Sequence, residues 1–118
     1  MREKLYFYKA KVVSVYDGDT CRMDIDLGMN LWLRNEPIRL YRINAPEIRG
    51  EARPQGLAAR DYLRELILDR DVFLQTVKDK KGKYGRYLGE IWLQIDGQYR
   101  NVNDMMVAAG HAVYKDYD

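Results

Sequence analysis

The shortness of the connections between the first extended segments is the feature that most constrains how this chain can fold. Residues 6–16 are rich in Tyr, Val and Phe, as β-strands are, and Asp17-Gly18-Asp19 is typical of a tight turn. Residues 20–27 alternate between apolar and polar side chains, which predicts a half-buried strand, and Gly28-Met29-Asn30 turns the chain again. Connections this short cannot carry a crossover, so the sequence predicts an antiparallel meander of three strands.

The third strand is predicted in two pieces, and a helix follows it. Residues 31–33 and 38–43 have strand character, and Arg34-Asn35-Glu36-Pro37 interrupts them. Pro54 suits the first turn of a helix, and apolar residues recur at helical spacing over residues 57–67. This spacing predicts an amphipathic helix of about four turns.

The second half of the chain completes a recognisable order of elements. We expect strands at residues 71–77 and 87–95, separated by a charged loop at 78–85. A short helix is expected to begin at Val102, with Asn101 as its cap, and to end at Gly110. The order β-β-β-α-β-β-α predicts a β-rich α+β fold. Specifically, it predicts a five-stranded Greek-key OB-fold barrel with a helix between strands 3 and 4 and a short C-terminal helix.

Composition narrows the class of protein. A chain of 118 residues that is 47% hydrophobic fits one globular domain, covering residues 1–118. No apolar run approaches the roughly 18 residues of a membrane span, so no membrane partner is expected. One Cys and one His exclude a disulfide framework, a Cys-cluster zinc site and a His-pair metal motif. The net charge, 20 − 18 = +2, gives no hint of a nucleic-acid partner.

The N-terminal residues lack the marks of a secretory signal. The segment from Met1 to Tyr8 has neither the apolar stretch nor the small-residue cleavage site of a signal peptide. We therefore expect a cytoplasmic protein. Secretion is the alternative if a signal was removed before Met1.

Four polar clusters could carry chemistry. Asp17-Gly18-Asp19-Thr20 places two carboxylates at a turn, where oxygen ligands suit a hard cation. Arg39 interrupts an apolar run, and Glu47 follows in a polar loop as a candidate general base. The basic segment at residues 80–86 contains Arg86 and could clamp phosphate. Each cluster alone has an ordinary explanation: a turn, a solvent-facing arginine, a solvated glutamate and a flexible basic loop.

Taken together, the clusters predict one reaction. A metal-binding acid, a base and two arginines are the groups that phosphodiester hydrolysis requires. The metal and the arginines would neutralise the charge of the phosphate in the transition state, and the base would activate water. The joint occurrence of these groups on a barrel-type order of elements therefore indicates a nuclease.

At these segments the sequence resembles the staphylococcal nuclease (thermonuclease) family. The similar segments occur in the family's order and span roughly residues 6 to 117. They are the segments at 15–20, 38–47, 83–86 and 102–103, together with Gly110. The resemblance implies a calcium-dependent nuclease without sugar specificity, which cuts the P–O5′ bond of DNA or RNA and leaves 3′-phosphates.

The resemblance also implies roles for individual residues. Asp19 resembles the main metal-binding carboxylate, Asn44 stands where the best-known members have a second aspartate, and the carbonyl of Ala45 is a third ligand. Glu47 resembles the general base. Arg39 and Arg86 resemble the phosphate-binding arginines. Lys83 and Tyr84 resemble residues that contact a terminal phosphate, and Tyr114 and Tyr117 resemble a base-stacking tyrosine.

Asn44 is the departure that keeps a second function open. It retains an oxygen ligand but removes a negative charge, so it should weaken calcium binding. The first hypothesis is a monomeric nuclease that acts on single-stranded or frayed DNA and RNA. The alternative is a catalytically weak or inactive barrel that binds nucleic acid or protein. A member with a narrower substrate than bulk nucleic acid is a third possibility, which the sequence does not test.

Overall fold

The computed structural model describes residues 6–81 and 85–115. Within these ranges the chain forms strands around a closed core, two α-helices and one 3-10 turn at Gly50–Ala52. The helices are α1 (Arg53–Ile67) and α2 (Val102–Ala108). The strands are β1 (Phe7–Asp17), β2 (Thr20–Gly28), β3 (Leu31–Leu40), β4 (Ile43–Asn44), β5 (Asp71–Lys81), β6 (Tyr87–Ile95), β7 (Gln98–Asn101) and β8 (Val113–Tyr114).

The sheet closes on itself, which confirms the predicted barrel. The strand order is β3-β2-β1-β5-β6-β7, and a parallel pairing of β3 with β6 joins the two sides. This pairing sets residues 38–40 beside residues 87–89. Five strands therefore form the closed barrel, β7 extends β6, and β4 pairs separately with β8. The β1–β2 and β2–β3 pairings are antiparallel, as predicted.

The predicted interruption of the third strand is wrong, because β3 continues through it. Asn35 has a positive φ of 55°, and the β2–β3 register shifts between Met23 and Ile25, so this site is a bulge. The Asn35 amide donates to the Asp24 carboxylate at 2.9 Å. Pro37 is tolerated because β3 pairs with β6 only from Ile38 onward, and a proline can occupy a strand position that lacks a second neighbour.

Two other predicted boundaries also differ. The strand predicted at residues 38–43 ends at Leu40. Arg42 (φ 68°) turns the chain, and Ile43 and Asn44 form the separate β4. The loop predicted at residues 78–85 begins later, because β5 continues through Lys81. The rest of that loop includes residues 82–84, which lie outside the described residues.

Both helices follow the sequence pattern. Pro54 lies in the first turn of α1, and the helix buries Ala59, Leu63 and Ile67 in the core. The Asn101 side chain caps α2 by accepting a hydrogen bond from the Asp104 amide at 2.9 Å. Neither helix of the described chain is both long and apolar enough to span a membrane.

A buried asparagine fixes α2 to the barrel. Asn103 is fully buried, accepts a hydrogen bond from the Ile91 amide at 3.1 Å and donates to the carbonyls of Tyr41 and Gly89. These bonds satisfy all the polar atoms of its side-chain amide and tie the helix to β6 and to the turn after β3. The end of β3 is therefore held from several sides.

Candidate active site

Close packing of the β1–β2 turn positions Asp19 at one end of the barrel. A Cβ built on Gly18 would lie 2.7 Å from the Cβ of Ala45 and 2.8 Å from the Cβ of Ala59. Any larger residue at position 18 would therefore push the turn away from α1 and from the loop after β4. Asp19 is only 6% exposed as a result.

The Asp19 carboxylate has protein partners on both oxygens. Oδ2 lies 3.3 Å from Nη2 of Arg39 and accepts a hydrogen bond from the Ala45 amide at 2.8 Å. Oδ1 accepts a hydrogen bond from the Thr20 hydroxyl at 3.2 Å. Arg39 is 8% exposed, so the ion pair is shielded from water. Removal of either partner would leave a buried charge without compensation.

Backbone carbonyls hold the Arg39 guanidinium in place. The β2–β3 register sets Arg39 directly opposite Thr20. Nη1 donates to the carbonyls of Leu40 and Ile43 at 2.8 and 3.1 Å, and Nη2 donates to Oδ1 of Asn44 at 3.2 Å. The orientation of the guanidinium is therefore fixed before any ligand binds.

Arg86 joins the same cluster through Thr20. It lies just before β6, and its Nη1 donates to the Thr20 hydroxyl at 3.2 Å. A continuous chain of contacts thus runs from Arg39 through Asp19 and Thr20 to Arg86. The structure brings together three residues that the sequence singled out. The sequence assigned no separate role to Thr20, the residue that connects them, although it directly follows the acidic turn.

Asp17, the other carboxylate of the turn, lies where its charged form is disfavoured. Burial, and next the negative charge of Asp19, raise the pKa of Asp17 from 3.8 to about 6. The Asp19 amide donates to Oδ1 of Asp17 at 3.1 Å, which keeps the two residues close. The raised pKa means that the charged form of Asp17 is disfavoured. A cation bound beside Asp17 would favour that charged form.

The residues of this cluster fit a hard divalent cation by donor type. Carboxylate, amide and carbonyl oxygens are the ligands that Ca²⁺ prefers, and the cluster offers two carboxylates, Asp17 and Asp19. In the described part of the chain, no three Asp, Glu, His or Cys side chains group closely enough to hold a metal by themselves. Oδ1 of Asn44 accepts a bond from Arg39, and Ala45 meets Asp19 through its amide. To bind a metal, Oδ1 of Asn44 would therefore have to give up its hydrogen bond from Arg39.

Glu47 lies exposed on the loop that starts at Ala45. Helix α1 fixes the backbone of this loop: a Cβ at Gly56 would lie 2.0 Å from the Glu47 carbonyl oxygen, so only glycine fits there. Arg49 donates to the Tyr16 hydroxyl at 3.2 Å; this bond, and next the charges of Tyr16 and Glu47, raise the pKa of Arg49. The Glu47 backbone is thus rigidly placed while its carboxylate remains open to solvent.

The predicted substrate contacts are only partly within the described chain. Lys83, Tyr84 and Tyr117 lie outside the described residues. Tyr114 lies on β8, which pairs with β4, the strand that carries Asn44. Its hydroxyl donates to Oδ1 of Asp104 at 2.8 Å, and the residue is 56% exposed. The role of Tyr114 in binding substrate stays a prediction.

Comparison with known proteins identifies relatives of this chain. Residues 37–118 match the profile of the family described as staphylococcal nuclease homologue. The matched segment includes Arg39, Asn44, Glu47 and Arg86. The chain is 34% identical over 114 residues to the protein ParB of Escherichia coli, an alignment that covers 88% of this chain and 55% of ParB.

Two thermonucleases are also similar. The identity is 30% over 86 residues to the thermonuclease of Staphylococcus hyicus and 32% over 85 residues to that of Staphylococcus intermedius. Each alignment covers 70% of this chain and 47% of the thermonuclease. The chain therefore spans about half the length of the curated relatives it matches.

Proposed function

Because the chain belongs to the staphylococcal nuclease homologue family, we propose that it hydrolyses phosphodiester bonds of DNA or RNA. The observation that carries this proposal is the chain of contacts from Arg39 through Asp19 and Thr20 to Arg86. It places two guanidinium groups around one buried carboxylate at an end of the barrel. The two thermonuclease relatives support the same class of reaction.

The arginines act on the phosphate. A guanidinium presents several N–H donors in a plane that matches two phosphate oxygens. Protein oxygens already contact both Nη atoms of Arg39, so its positive charge is fixed in place before charge builds up on the phosphate. Charge that is preorganised in this way contributes most in a dry site. Arg86 lies on the other side of Thr20 and supplies the second positive charge.

Glu47 acts as the general base. Its exposed carboxylate accepts a proton from a water molecule while the water oxygen forms a bond to phosphorus. The P–O5′ bond breaks and the leaving O5′ takes a proton from solvent, which leaves a 3′-phosphate on one product and a 5′-hydroxyl on the other. Close packing of Gly56 against the Glu47 carbonyl fixes the backbone that carries the base.

A divalent ion, Ca²⁺ by donor type, completes the site. Asp19 would hold it, with Asn44 and the Ala45 carbonyl as further oxygen ligands and Asp17 as a nearby negative charge. When bound, the ion supplies positive charge that stabilises a phosphate oxygen. The substrate is single-stranded or frayed nucleic acid, which a monomer with an open site can bind.

The test is cleavage of single-stranded DNA with millimolar Ca²⁺ and, in parallel, with chelator. Glu47→Gln and Arg86→Ala are each expected to lower kcat/KM by on the order of 10²–10³, because each removes one group that acts on the transition state. Arg70→Ala is the control, since Arg70 is an exposed arginine between α1 and β5, remote in sequence from the cluster. Full activity in both site variants would overturn the proposal.

A second candidate function is binding without cleavage. The observation in its favour is that both Asp19 oxygens and Oδ1 of Asn44 already bond within the protein. A metal must compete with these bonds. Measurable binding of single-stranded DNA, with no cleavage at millimolar Ca²⁺, would favour this binding module over the enzyme.

A further inference from the structure

A row of aromatic and charged side chains crosses the outer face of the sheet, away from the candidate active site. The strand register aligns Trp32 with Asp26, Asp26 with Lys9, Lys9 with Phe73, and Phe73 with Trp92. The row therefore runs across β3, β2, β1, β5 and β6, perpendicular to the strands. Its members line one groove with a volume of about 380 Å³.

The aromatic part of this groove is rigid and accessible. Tyr99 is 52% exposed and packs edge-on against Phe73, with ring centroids 5.3 Å apart. The Trp92 indole donates to Oε1 of Gln75 at 3.0 Å, which fixes its ring. Trp32 is 43% exposed, and the Arg34 guanidinium lies 4.6 Å from its ring centroid. A planar ligand would thus meet preformed aromatic surfaces at both ends of the groove.

The groove also offers positive charge. Lys9 and Lys11 line it, and neither forms an ion pair with any residue in the ranges 6–81 and 85–115. Asp26 and Asp71 line it too, so the total charge of the lining is near zero. Oδ1 of Asp26 accepts a bond from the Gly28 amide at 2.8 Å. Two ammonium groups beside aromatic rings suit a ligand that combines planar rings with anionic groups.

The groove lies well away from the acidic cluster. Trp32 and Arg39 are both on β3, and Asp26 and Asp19 are at corresponding positions of β2 and the turn before it. At about 3.3 Å per strand residue, seven residues separate groove and cluster by about 20 Å. A ligand that reaches both would have to be a polymer of several units.

We propose that this groove, defined by Trp32, Phe73, Trp92, Tyr99, Lys9 and Lys11, is a second binding site for single-stranded nucleic acid. Bases stack on the aromatic rings and the two lysines contact phosphates, as on other single-strand platforms. This inference rests on the proposed function, because it concerns the same polymeric substrate. Since the lining is nearly neutral, the groove contributes affinity mainly through stacking, which changes little with salt, whereas the two lysine–phosphate contacts weaken as salt rises.

The two tryptophans of the chain provide a direct readout, because both line the groove. An oligonucleotide of about twelve thymidines, mixed with the protein in chelator, is expected to quench tryptophan emission by stacking. A thymidine dinucleotide is too short to reach from the acidic cluster to the groove. It offers fewer bases to the rings, so at the same concentration it should quench the emission less. Absence of quenching by the longer oligonucleotide, at concentrations where anisotropy shows it bound, would overturn the proposal.

Substitutions sharpen the test. Trp32→Ala and Tyr99→Ala are each expected to weaken anisotropy-detected binding of the longer oligonucleotide by on the order of tenfold, the usual effect of removing one stacking ring. Leu31→Ala is the matched control: Leu31 is 60% exposed beside Trp32 but does not line the groove. Unchanged binding in both aromatic variants would overturn the proposal and leave a protein-binding surface as the better explanation.

This outcome is separable from failure of the proposed function. If the protein binds the oligonucleotide and quenches but never cleaves, the groove stands and the nuclease proposal fails. If it cleaves normally but the aromatic variants bind as the unaltered protein does, the nuclease proposal stands and the groove fails. Cleavage of the dinucleotide should be the same in Trp32→Ala as in the unaltered protein, since this substrate does not reach the groove.

Discussion

Two arginines near the end of β3 make ion pairs that differ in burial and in charge balance. Arg39 is 8% exposed and pairs with Asp19, whose neighbour in the β1–β2 turn is a second carboxylate, Asp17. The side chain of Arg42 is 38% exposed and faces two carboxylates of its own. Its Nη2 donates to Glu90 at 2.8 Å and to Asp104 at 3.0 Å.

The pKa shifts show what this difference means. Around Arg42 the pKa of the arginine is raised, first by its hydrogen bond to Glu90, because the acids stabilise its charge. Around Arg39 the shift falls on an acid: burial, and next the charge of Asp19, raise the pKa of Asp17 to about 6. The charge of Arg42 is thus stabilised by its two acidic partners, and we assign this cluster a structural role. At the Arg39 cluster the charged form of Asp17 is disfavoured, so a cation bound beside Asp17 would lower that cost.

Arg39→Ala is expected to have the largest effect and tests the difference between the two arginines most directly. The substitution leaves Asp19 buried without its ion-pair partner, so we expect a loss of about 3–5 kcal/mol in the free energy of unfolding, measured with denaturant, together with loss of cleavage. Adding Asp19→Asn to Arg39→Ala should recover part of the stability, because no buried charge remains. A loss in the double variant equal to the sum of the losses in Arg39→Ala and Asp19→Asn alone would show that the pair is not coupled.

Arg39→Lys separates the two losses. It keeps a positive charge but not the planar fork, so it should fold with a smaller penalty and still cleave poorly. Normal kcat in this variant would mean that cleavage does not need the planar guanidinium of Arg39.

Arg42→Ala should have the opposite profile. Partial exposure screens this ion pair, so we expect a loss of about 1–2 kcal/mol in the free energy of unfolding and an unchanged kcat. Asn101 still donates to Glu90 at 2.9 Å, which limits the penalty. A drop in kcat comparable to that of Arg86→Ala would contradict the division into a structural and a functional arginine.

The smallest expected effect concerns pH. Asp17 has a folded-state pKa of about 6 against 3.8 as its ordinary value, so the folded protein holds this proton more tightly. Its contribution to stability is fully present below pH 3.8 and is lost as pH rises to about 6. In chelator, Asp17→Asn should remove this fall and be more stable at pH 7 by about 1 kcal/mol, after allowance for partial exposure. Parallel pH profiles of the two proteins, followed by thermal unfolding, would contradict the assignment.

The sequence predicted the barrel because its signals are local. Alternation along β2, the tight turn at Gly18 and the spacing of apolar residues in α1 each depend on a few neighbouring residues. The interruption expected at Pro37 failed because its outcome depends on a distant strand: β6 pairs with β3 only beyond that proline. Boundaries set by tertiary pairing are the ones that local pattern cannot give.

The same distinction holds for the site. Motif spacing singled out Asp19, Arg39 and Arg86, and the structure brings them together. The sequence could not show that Thr20 connects them, or that the Ala45 amide donates to Asp19. Those contacts depend on side-chain conformations and on residues that are distant in the chain. From the sequence, the two tryptophans are simply aromatic residues on strands. Only the strand register shows that they line one groove.

The short parallel pairing of β3 with β6 has a consequence for the order of folding. Its two segments, residues 38–40 and 87–89, are far apart in the chain, so closing the barrel costs more loop entropy than forming the β1–β2–β3 meander. Asp19 and Arg39 can meet within that meander, whereas Arg86 arrives only when β6 docks. In a refolding experiment, cleavage should therefore recover no earlier than barrel closure, so the recovery of activity would report when β6 docks against β3.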